Sequence, residues 1–431
     1  MAWLLSFSPK VGLGAVDSPL TWWQHSLIGV LVVAIVAYGL SLVIEVAPSR
    51  ELQSALQAGW NVLHEKGMYD STSNEFHSPP LIAIASVPFG YPANGLEDHQ
   101  AVPYPLTRAL WFYLNVLCLW LATHWLTSLI EPSKVSPRRW WLNRLLPLLL
   151  LIVPLSRSLQ TGSSDGLVLM IVAALMVGLA RRQYFAAGLA LAGAMSLQIT
   201  SVILLFVPIW RRDRVMSFGI VFGLLVTLLL LPGLYFGLQH TNRLNEQYVE
   251  VLKQYQQNSL ADEQNHSLLG MIKQAIPASS AVRDPWAIAI AISVLASLTL
   301  ISCGLMGFNQ QQEPMRLLHF VGSLLAIMLL ASPQSAMHLY ALLIPTMIGV
   351  LATASNQIRS SRVNSILMLA LVCISAIVSL PLQLPLLPLL GITSCWLLNS
   401  SLLYRSSPAQ IALVSTPIAT ISSPPGLPKA A

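Results

Sequence analysis

The stretch "HSLIGVLVVAIVAYGLSLVI", residues 25–44, decides the fold class of this chain, because it is apolar and contains no Asp, Glu, Lys or Arg. A helix of about 20 residues covers about 30 Å, which is the thickness of the hydrocarbon core of a bilayer. A second run, "VMSFGIVFGLLVTLLLLPGLYFG" at residues 215–237, has a similar length and the same lack of charge. Both runs therefore predict helices that span a membrane.

The composition extends this prediction to the whole chain. Of its 431 residues, 55% are hydrophobic and 9% are charged, whereas roughly 25% of the residues in soluble domains are charged. A helix satisfies its backbone hydrogen bonds within the segment, as the interior of a bilayer demands. We expect an all-α polytopic membrane protein, a bundle of about 10–12 transmembrane or re-entrant helices.

Clusters of Lys and Arg mark the turns that lie on the cytoplasmic side of a membrane protein. The clusters in this chain are Lys134 with Arg138, Arg139 and Arg144; Arg181 with Arg182; Arg211 with Arg212 and Arg214; Arg359 with Arg362; and Arg405. Counting the crossings between them predicts that both termini are cytoplasmic and that two long loops, residues 45–106 and 239–284, are exoplasmic. Residues 1–405 are then one transmembrane domain, and the Ser- and Pro-rich residues 406–431 are expected to be a disordered cytoplasmic tail.

Two polar breaks interrupt apolar runs at positions where we expect the chain to be inside the membrane. The first is "RSLQTGSSD" at residues 157–165, and the second is "SLQIT" at residues 196–200. Polar groups at membrane depth are tolerated where they line a cavity or a buried site, and the alternative is a turn at the level of the lipid headgroups. Four side chains in these breaks are candidate site residues: Arg157, Gln160, Asp165 and Gln198.

The first long loop begins with "APSRELQSALQAGWNVLHEKG", residues 47–67, in which apolar residues recur at helical spacing. This spacing predicts an amphipathic helix in the membrane interface, with Glu51 in its first turn. Glu51 is a candidate acid–base residue, and the alternative is that it only stabilises the helix N-terminus. Asp70, Glu75 and His77 follow, before prolines that predict a re-entrant or interfacial segment.

Several function classes lack support in this sequence. It contains no Walker loop, no GxGxxG fingerprint and no HExxH motif, which are typical of nucleotide hydrolysis, dinucleotide binding and zinc proteolysis. Its four cysteines lie in apolar runs without CxxC spacing, so we expect neither a metal site nor a cofactor. The net charge of +6 is concentrated in short loops on one side. We therefore expect membrane lipids, and not nucleic acid, as partners.

A series of short elements occurs in order along the chain. The first are Glu51, Gly67-x-Tyr69 and Pro79-Pro80-Leu81, and the later ones are the Gln-Gly turn "LQTGSSDG", "QNHSLLG" and "ASPQSAMHLY". Over about residues 25–355 these elements resemble those of glycosyltransferase family 87, a family of GT-C membrane glycosyltransferases. Two positions depart from the family pattern, because Glu51 stands where Asp is usual and Gln198 stands where a Lys is common. A changed substrate and a loss of activity are the two alternatives that these departures leave open.

The resemblance implies a GT-C-like fold and an enzyme that transfers a sugar, such as the hexose mannose, from a polyprenyl-phosphate donor to a lipid or glycan acceptor. It places the active site on the exoplasmic side of the plasma (inner) membrane. An inverting single displacement needs one carboxylate to take the acceptor proton, and we expect Glu51 in this role ahead of Asp70 and Glu75. The leaving phosphate needs cations and hydrogen-bond donors. The expected substrate-binding residues are Tyr69, His77, Arg157, Gln160, Asp165, Gln198, Asn265, His266, His338 and Tyr340.

Two other functions are compatible with so apolar a chain. A transporter or flippase of lipid-linked sugars would also use broken helices around a midplane site, but it often shows two related halves, and no internal repeat is evident here. An O-antigen-polymerase-like protein would have a large exoplasmic loop that is rich in Arg. The predicted exoplasmic loops carry more acidic than basic residues, which favours the glycosyltransferase.

Overall fold

The computed structural model describes residues 22–44, 50–64, 67–69, 76–90, 103–131, 136–259, 267–275, 283–306, 313–332, 337–356, 370, 374 and 386–405. The first described helices are α1 (Trp22–Ile44), α2 (Arg50–Leu63), α3 (Pro80–Ser86), α4 (Tyr104–Ile130), α5 (Pro137–Leu150) and α6 (Ile152–Thr161). They are followed by α7 (Asp165–Ala180), α8 (Tyr184–Leu197), α9 (Phe206–Arg211), α10 (Arg214–Leu225), α11 (Leu231–Phe236) and α12 (Leu238–Ser259). The last are α13 (Leu268–Ala275), α14 (Arg283–Met306), α15 (Pro314–Ala331), α16 (Ile344–Asn356) and α17 (Leu386–Arg405).

Short segments of tighter or wider helix join some of these elements. They are the 3-10 segments Val87–Phe89, Ile199–Leu205 and Met337–Leu343, and the π-helical turn Val226–Leu230. Within the described ranges, 6 helical stretches are long and apolar enough to cross a membrane, and the bent pair α5–α6 makes a seventh if it is one span. Shorter apolar helices, among them α7 and α8, lie between them. The expected all-α polytopic membrane fold is confirmed.

Proline bends the chain at Leu151, before the predicted break, and glycine makes the turn inside the break, of which residues 157–161 are helical. Pro154 has no N–H to donate to the carbonyl of Leu150, so α5 ends at that residue and α6 leaves at an angle of 68°. Gly162 ends α6 with a φ of 71°, the left-handed conformation that glycine adopts without strain. The chain thereby turns within a few residues and starts α7 at Asp165.

Small residues hold α8 and α10 side by side. A Cβ atom on Gly188 would collide with the backbone carbonyl of Met216, and one on Gly223 would lie 2.5 Å from the Cβ of Ala192. One turn further along, the hydroxyls of Ser196 and Thr227 lie 2.6 Å apart. Small residues at every fourth position therefore let the two backbones approach, which is a common way of packing helices in membranes.

Helix α15 lies at the centre of the main core. Every side chain from Arg316 to Leu330 is buried, so this helix has no face toward lipid. It packs against α14, α16 and α17. By contrast, α10 and α14 expose most of their apolar surface, as expected for helices at the lipid boundary. The predicted crossings through α14, α15 and α16 are confirmed as apolar helices.

The two predicted loops form a second, smaller core, which we call the cap and define by α2, α3 and α12. Its buried residues are Ala58, Met68, Tyr69, Phe76, Ala83, Leu244 and Tyr248. The predicted helix after the first span is confirmed as α2, and its apolar residues Leu52 and Trp60 are buried. Pro232 cannot pair with the carbonyl of Leu228, and the side chain of Asn245 on α12 donates to this carbonyl at 3.2 Å. This bond joins the cap to the span Arg214–Phe236.

Arg144, one of the basic residues used to predict the cytoplasmic loops, is buried. Arg144 was expected in a cytoplasmic loop, but it lies within α5 and is 1% exposed. Its guanidinium donates to both carboxylate oxygens of Glu131 at 2.8 Å and stacks on Trp140, 3.9 Å from the ring centroid. A buried bidentate ion pair neutralises the charge, so Arg144 fixes α5 to the end of α4 and does not mark a loop.

Candidate active site

Glu51 and His338 form the centre of the candidate site. Glu51 is in the first turn of α2, and His338 lies in the 3-10 segment Met337–Leu343 that follows α15. The fold brings Oε1 of Glu51 to 3.3 Å from Nε2 of His338. The side chain of Glu51 is 46% exposed and that of His338 is 16% exposed, so the carboxylate is the more accessible of the two. Two residues that the sequence analysis had named separately are therefore neighbours.

The environment of Glu51 changes its acidity. Desolvation by the surrounding protein raises the pKa of Glu51 to about 7, the nearby imidazole of His338 acts in the opposite direction, and the charge of Asp165 raises the pKa further. The side chain keeps an open surface although protein desolvates its charge, a combination expected for a group on the wall of a cleft. A carboxyl group with such a pKa is suited to exchange protons near neutral pH.

Asp165 approaches this pair from the first turn of α7. It is 3% exposed, and its Oδ2 accepts hydrogen bonds from Ser163 at 2.6 Å and from Ser158 at 3.1 Å. The two serine hydroxyls also lie 2.7 Å apart. The carboxylate is therefore held in place by the turn between α6 and α7, and it acts on Glu51 through its charge.

Helix α6 carries Arg157 and Gln160 beside this turn. Both side chains are exposed, and α6 packs directly against the 3-10 segment that contains His338. The amide of Gln160 donates to the hydroxyl of Tyr38 on α1 at 2.9 Å. The indole of Trp111 on α4 donates to the carbonyl of Gly162 at 2.8 Å. Helices α1 and α4 thus hold the polar end of α6 on two sides.

The cap contains Tyr69 and His77. The hydroxyl of Tyr69 donates to the carbonyl of Ser78 at 2.9 Å, and its ring stacks on Phe76 with centroids 5.7 Å apart. Burial raises the pKa of Tyr69 and lowers the pKa of His77 to about 4. Tyr69 therefore holds the cap together, and His77, which is half-buried beside it, is neutral at physiological pH. Their predicted contacts with substrate stay predictions.

The second predicted break, at residues 196–200, is present between α8 and the 3-10 segment Ile199–Leu205. These are not the elements that carry Glu51, His338 and Asp165. Gln198 follows α8 with an extended backbone, and its Oε1 is buried without a hydrogen-bond partner in the described part of the chain. The hydroxyls of Thr200 and Ser201 are also buried without a hydrogen-bond partner among the described residues. No described hydrogen bond or ion pair joins Gln198 to Glu51, His338 or Asp165. Its predicted role near the donor phosphate stays a prediction.

The remaining predicted residues are not in the described cluster. Tyr340 is 0% exposed and belongs to the main core, and its predicted contact with substrate stays a prediction. Tyr340 follows His338 by two residues, and its side chain packs into the main core, whereas the side chain of His338 faces Glu51. Four further candidates lie outside the described residues: Asp70, Glu75, Asn265 and His266.

Sequence reasoning missed the residues that position the site. Ser158 and Ser163 lie inside the quoted break and hold Asp165, while Trp111 and Tyr38 are aromatic residues within long apolar helices. The density of Ser in "SRSLQTGSSD" is a signal for the first pair. No local signal marks the second pair, because Trp and Tyr are ordinary in membrane helices.

The described site consists of one accessible carboxyl group, one imidazole, one buried carboxylate and the exposed Arg157. Among the described residues, no three His, Cys, Asp or Glu side chains are placed to hold a metal ion. A carboxyl group beside an imidazole can remove a proton from a hydroxyl, and a cation nearby can stabilise a departing anion. This chemistry suits a group transfer to a hydroxyl acceptor.

Comparison with known proteins identifies the family. The model of glycosyltransferase family 87 matches residues 76–333, more than half of the chain. The match includes the turn between α6 and α7 and the break at Gln198, whereas Glu51 lies 25 residues before its start and His338 lies 5 residues after its end. It is therefore narrower than the expected resemblance over residues 25–355. No curated protein and no solved structure gives a significant match. The chain therefore belongs to glycosyltransferase family 87 and is a multi-pass membrane glycosyltransferase.

Proposed function

We propose that this protein transfers a hexose, such as mannose, from a polyprenyl-phosphate donor to a hydroxyl of a lipid or glycan acceptor on the exoplasmic face of the membrane. The observation that carries the proposal is the 3.3 Å contact between Glu51 and His338. This pair lies beside helix α6, which carries the exposed Arg157. The family supports sugar transfer, and the resemblance of the motifs supports the lipid-phosphate donor. The family also favours this function over a flippase or a polymerase.

In the proposed reaction Glu51 is the general base. Its carboxylate takes the proton of the acceptor hydroxyl while that oxygen forms a bond to the anomeric carbon. The bond between the anomeric carbon and the donor phosphate breaks at the same time, and the polyprenyl phosphate leaves with the electron pair. Inversion at the anomeric carbon follows, because one displacement takes place. A base whose pKa is about 7 is largely in its reactive form just above neutral pH.

The leaving phosphate needs positive charge, and α6 supplies a candidate. Arg157 and Gln160 are three residues apart, so they share one face of this helix. Both are exposed, and the helix borders the His338 segment. We assign Arg157 to the phosphate, where its guanidinium can donate two parallel hydrogen bonds. Because a phosphate leaves as a stable anion, no second acid is needed.

Glu51→Gln is the direct test. Gln has nearly the same shape and cannot accept the proton, and general-base catalysis contributes about 10²- to 10⁴-fold to a rate. We expect a loss of this size when purified protein is incubated with polyprenyl-phosphate mannose and membrane acceptors. Glu250→Gln is the matched control, because Glu250 is an exposed acid on α12 of the cap. Undiminished transfer by Glu51→Gln would exclude Glu51 as the base.

A vesicle experiment separates the proposal from transport. Labelled donor is supplied on one side of reconstituted vesicles, and the products are analysed for a new glycosidic bond. The proposal expects a glycosylated acceptor. Movement of intact donor across the bilayer without a new bond would contradict it, and would favour a flippase instead.

A further inference from the structure

Helix α4 packs against α7 and touches the turn that precedes it at two points. The indole N–H of Trp111 donates to the carbonyl of Gly162 at 2.8 Å. One turn further along α4, Asn115 lies against Gly166, where an added Cβ atom would be 2.8 Å from Oδ1 and 3.1 Å from the backbone carbonyl oxygen of Asn115. Asp165 lies between these two points of contact, so α4 holds the chain on both sides of this carboxylate.

Asn115 joins the two points of contact into one unit. Its side-chain amide donates to the carbonyl of Trp111, four residues earlier, at 3.0 Å. The residue is 4% exposed, and its Oδ1 has no hydrogen-bond partner in the described part of the chain. A buried oxygen without a partner lowers stability, so an apolar residue would suit packing alone better. The Asn side chain therefore sets the spacing between α4 and the first turn of α7.

The side chain of Asp165 follows every movement of this turn. It is 3% exposed, and its Oδ2 is held by Ser158 and Ser163, which belong to α6 and to the turn itself. None of the described hydrogen bonds joins the Asp165 side chain to α4. A displacement of the turn relative to α4 therefore displaces the carboxylate by the same amount.

The turn also borders the pair Glu51 and His338. The 3-10 segment that carries His338 packs on both α6 and α7, and α2 contacts α6. The charged or titratable groups that face Glu51 from neighbouring described elements are His338, Arg157 on α6 and Asp165 on α7, whereas α3 and the segment Val87–Phe89 carry none. Because a Coulomb interaction depends on distance, a displaced turn changes the effect of Asp165 on Glu51.

We propose that Trp111 and Asn115 are positioning residues of the transfer reaction. They hold the turn at residues 162–166 against α4 and thereby fix the distance from Asp165 to Glu51. No hydrogen bond within the described ranges joins either side chain to Glu51 or His338, so both act through Asp165. The inference rests on the proposed function, because it takes Glu51 as the base.

Labelling of Glu51 with a water-soluble carbodiimide and an amine tests this role without turnover. The reagent activates the protonated carboxyl group, so the pH of half-maximal labelling follows the titration of Glu51; it is read by mass spectrometry on the full-length protein in detergent. Trp111→Phe keeps an aromatic ring and removes the N–H. We expect the midpoint to fall by about half a pH unit, in the same direction as with Asp165→Asn and by part of the effect of a whole neighbouring charge. The matched control is Trp120→Phe near the other end of α4, beside two tryptophans of α5, and it should leave the midpoint unchanged.

The same substitution in the background of Asp165→Asn decides the route. With the carboxylate removed, Trp111→Phe should cause no further fall in the labelling midpoint. A general loosening of the site would shift the midpoint equally in both backgrounds, and that result would overturn the proposal. An unchanged midpoint with Trp111→Phe alone would overturn it as well.

Gly166→Ala keeps the proposal testable if Trp111→Phe does not fold. Its methyl group meets Oδ1 of Asn115, so the labelling midpoint should move, and adding Asn115→Ala should restore most of it. A midpoint that does not move with Gly166→Ala would contradict the positioning role. A shifted labelling midpoint in a protein that transfers no hexose would support that role and refute the proposed function. Normal transfer by Trp111→Phe with an unshifted kcat/KM midpoint would do the reverse.

Discussion

At the scale of a single residue, the charge state of Glu51 is the property that pH controls. A general base acts in its unprotonated form, and the pKa of Glu51 is raised to about 7. We therefore expect kcat/KM to fall about tenfold per pH unit below pH 7 and to level off above it. A pH profile of sugar transfer measures this fall, which is the acidic limb of the kcat/KM profile. A profile that is flat from pH 5 to 8 would contradict the assignment of Glu51.

The two neighbours of Glu51 should move this limb in opposite directions. The negative charge of Asp165 raises the pKa of Glu51, so Asp165→Asn should shift the limb to lower pH. The imidazole of His338 lowers that pKa, so His338→Gln should shift the limb to higher pH. The measurement is the midpoint of the kcat/KM profile, which a purely structural effect on the rate does not move. Glu250→Gln is again the control, and equal shifts in both variants would refute the electrostatic assignment.

At this scale, the sequence predicted which ionisable residues belong to the candidate site better than it predicted how their side chains are placed. It named Glu51, His338 and Asp165, because ionisable groups are costly in a membrane protein and therefore informative. It did not predict that Asp165 would be buried behind Ser158 and Ser163. Nor did it predict that Tyr340 would enter the main core. Helix α7 is apolar all round after Asp165, so no periodic pattern in it indicates which face meets the site.

At the scale of helices, the contact of α8 with α10 depends on Gly188. An added methyl group would meet the backbone carbonyl of Met216, which cannot rotate away as a side chain can. We expect Gly188→Ala to lower the free energy of unfolding by about 1–3 kcal/mol. Gly193→Ala is the control on the same helix, because its Cβ would lie 3.8 Å from the side chain of Ile171. Thermal unfolding in detergent compares the two.

The control in this pair has an expected sign of its own. Alanine is a better helix former than glycine by about 1 kcal/mol, so Gly193→Ala should be neutral or stabilising. Equal stability of the two variants would mean that α8 and α10 separate easily.

The sequence alone predicted both breaks flanking this region, because Pro and polar residues within apolar runs can be recognised without a structure. It did not predict which helices pack together, because that depends on small residues at matching heights.

At the scale of the whole molecule, the structure has two chemically different ends. Glu51, His338 and the cap lie at one end, and the turns that contain Arg182 and Arg212 lie at the end of α7 that is about 24 Å away. The excess of Lys and Arg on cytoplasmic loops predicts which end is inside. This inference used sequence alone, and burial of Arg144 shows that not every arginine is a loop marker. The sidedness of the remaining turns therefore stays a prediction.

Cysteine labelling in intact cells tests that orientation. Gln247 on α12 of the cap and Gln183 in the turn after α7 are both exposed, so Gln247→Cys and Gln183→Cys are equally reactive in principle. Cys118, Cys303 and Cys395 are buried, and Cys373→Ser removes the fourth native thiol. We expect a membrane-impermeant maleimide to label Gln247→Cys in intact cells and Gln183→Cys after permeabilisation alone. The reverse pattern would place Glu51 and the transfer reaction on the cytoplasmic side, where the donor would have to be presented from the other leaflet.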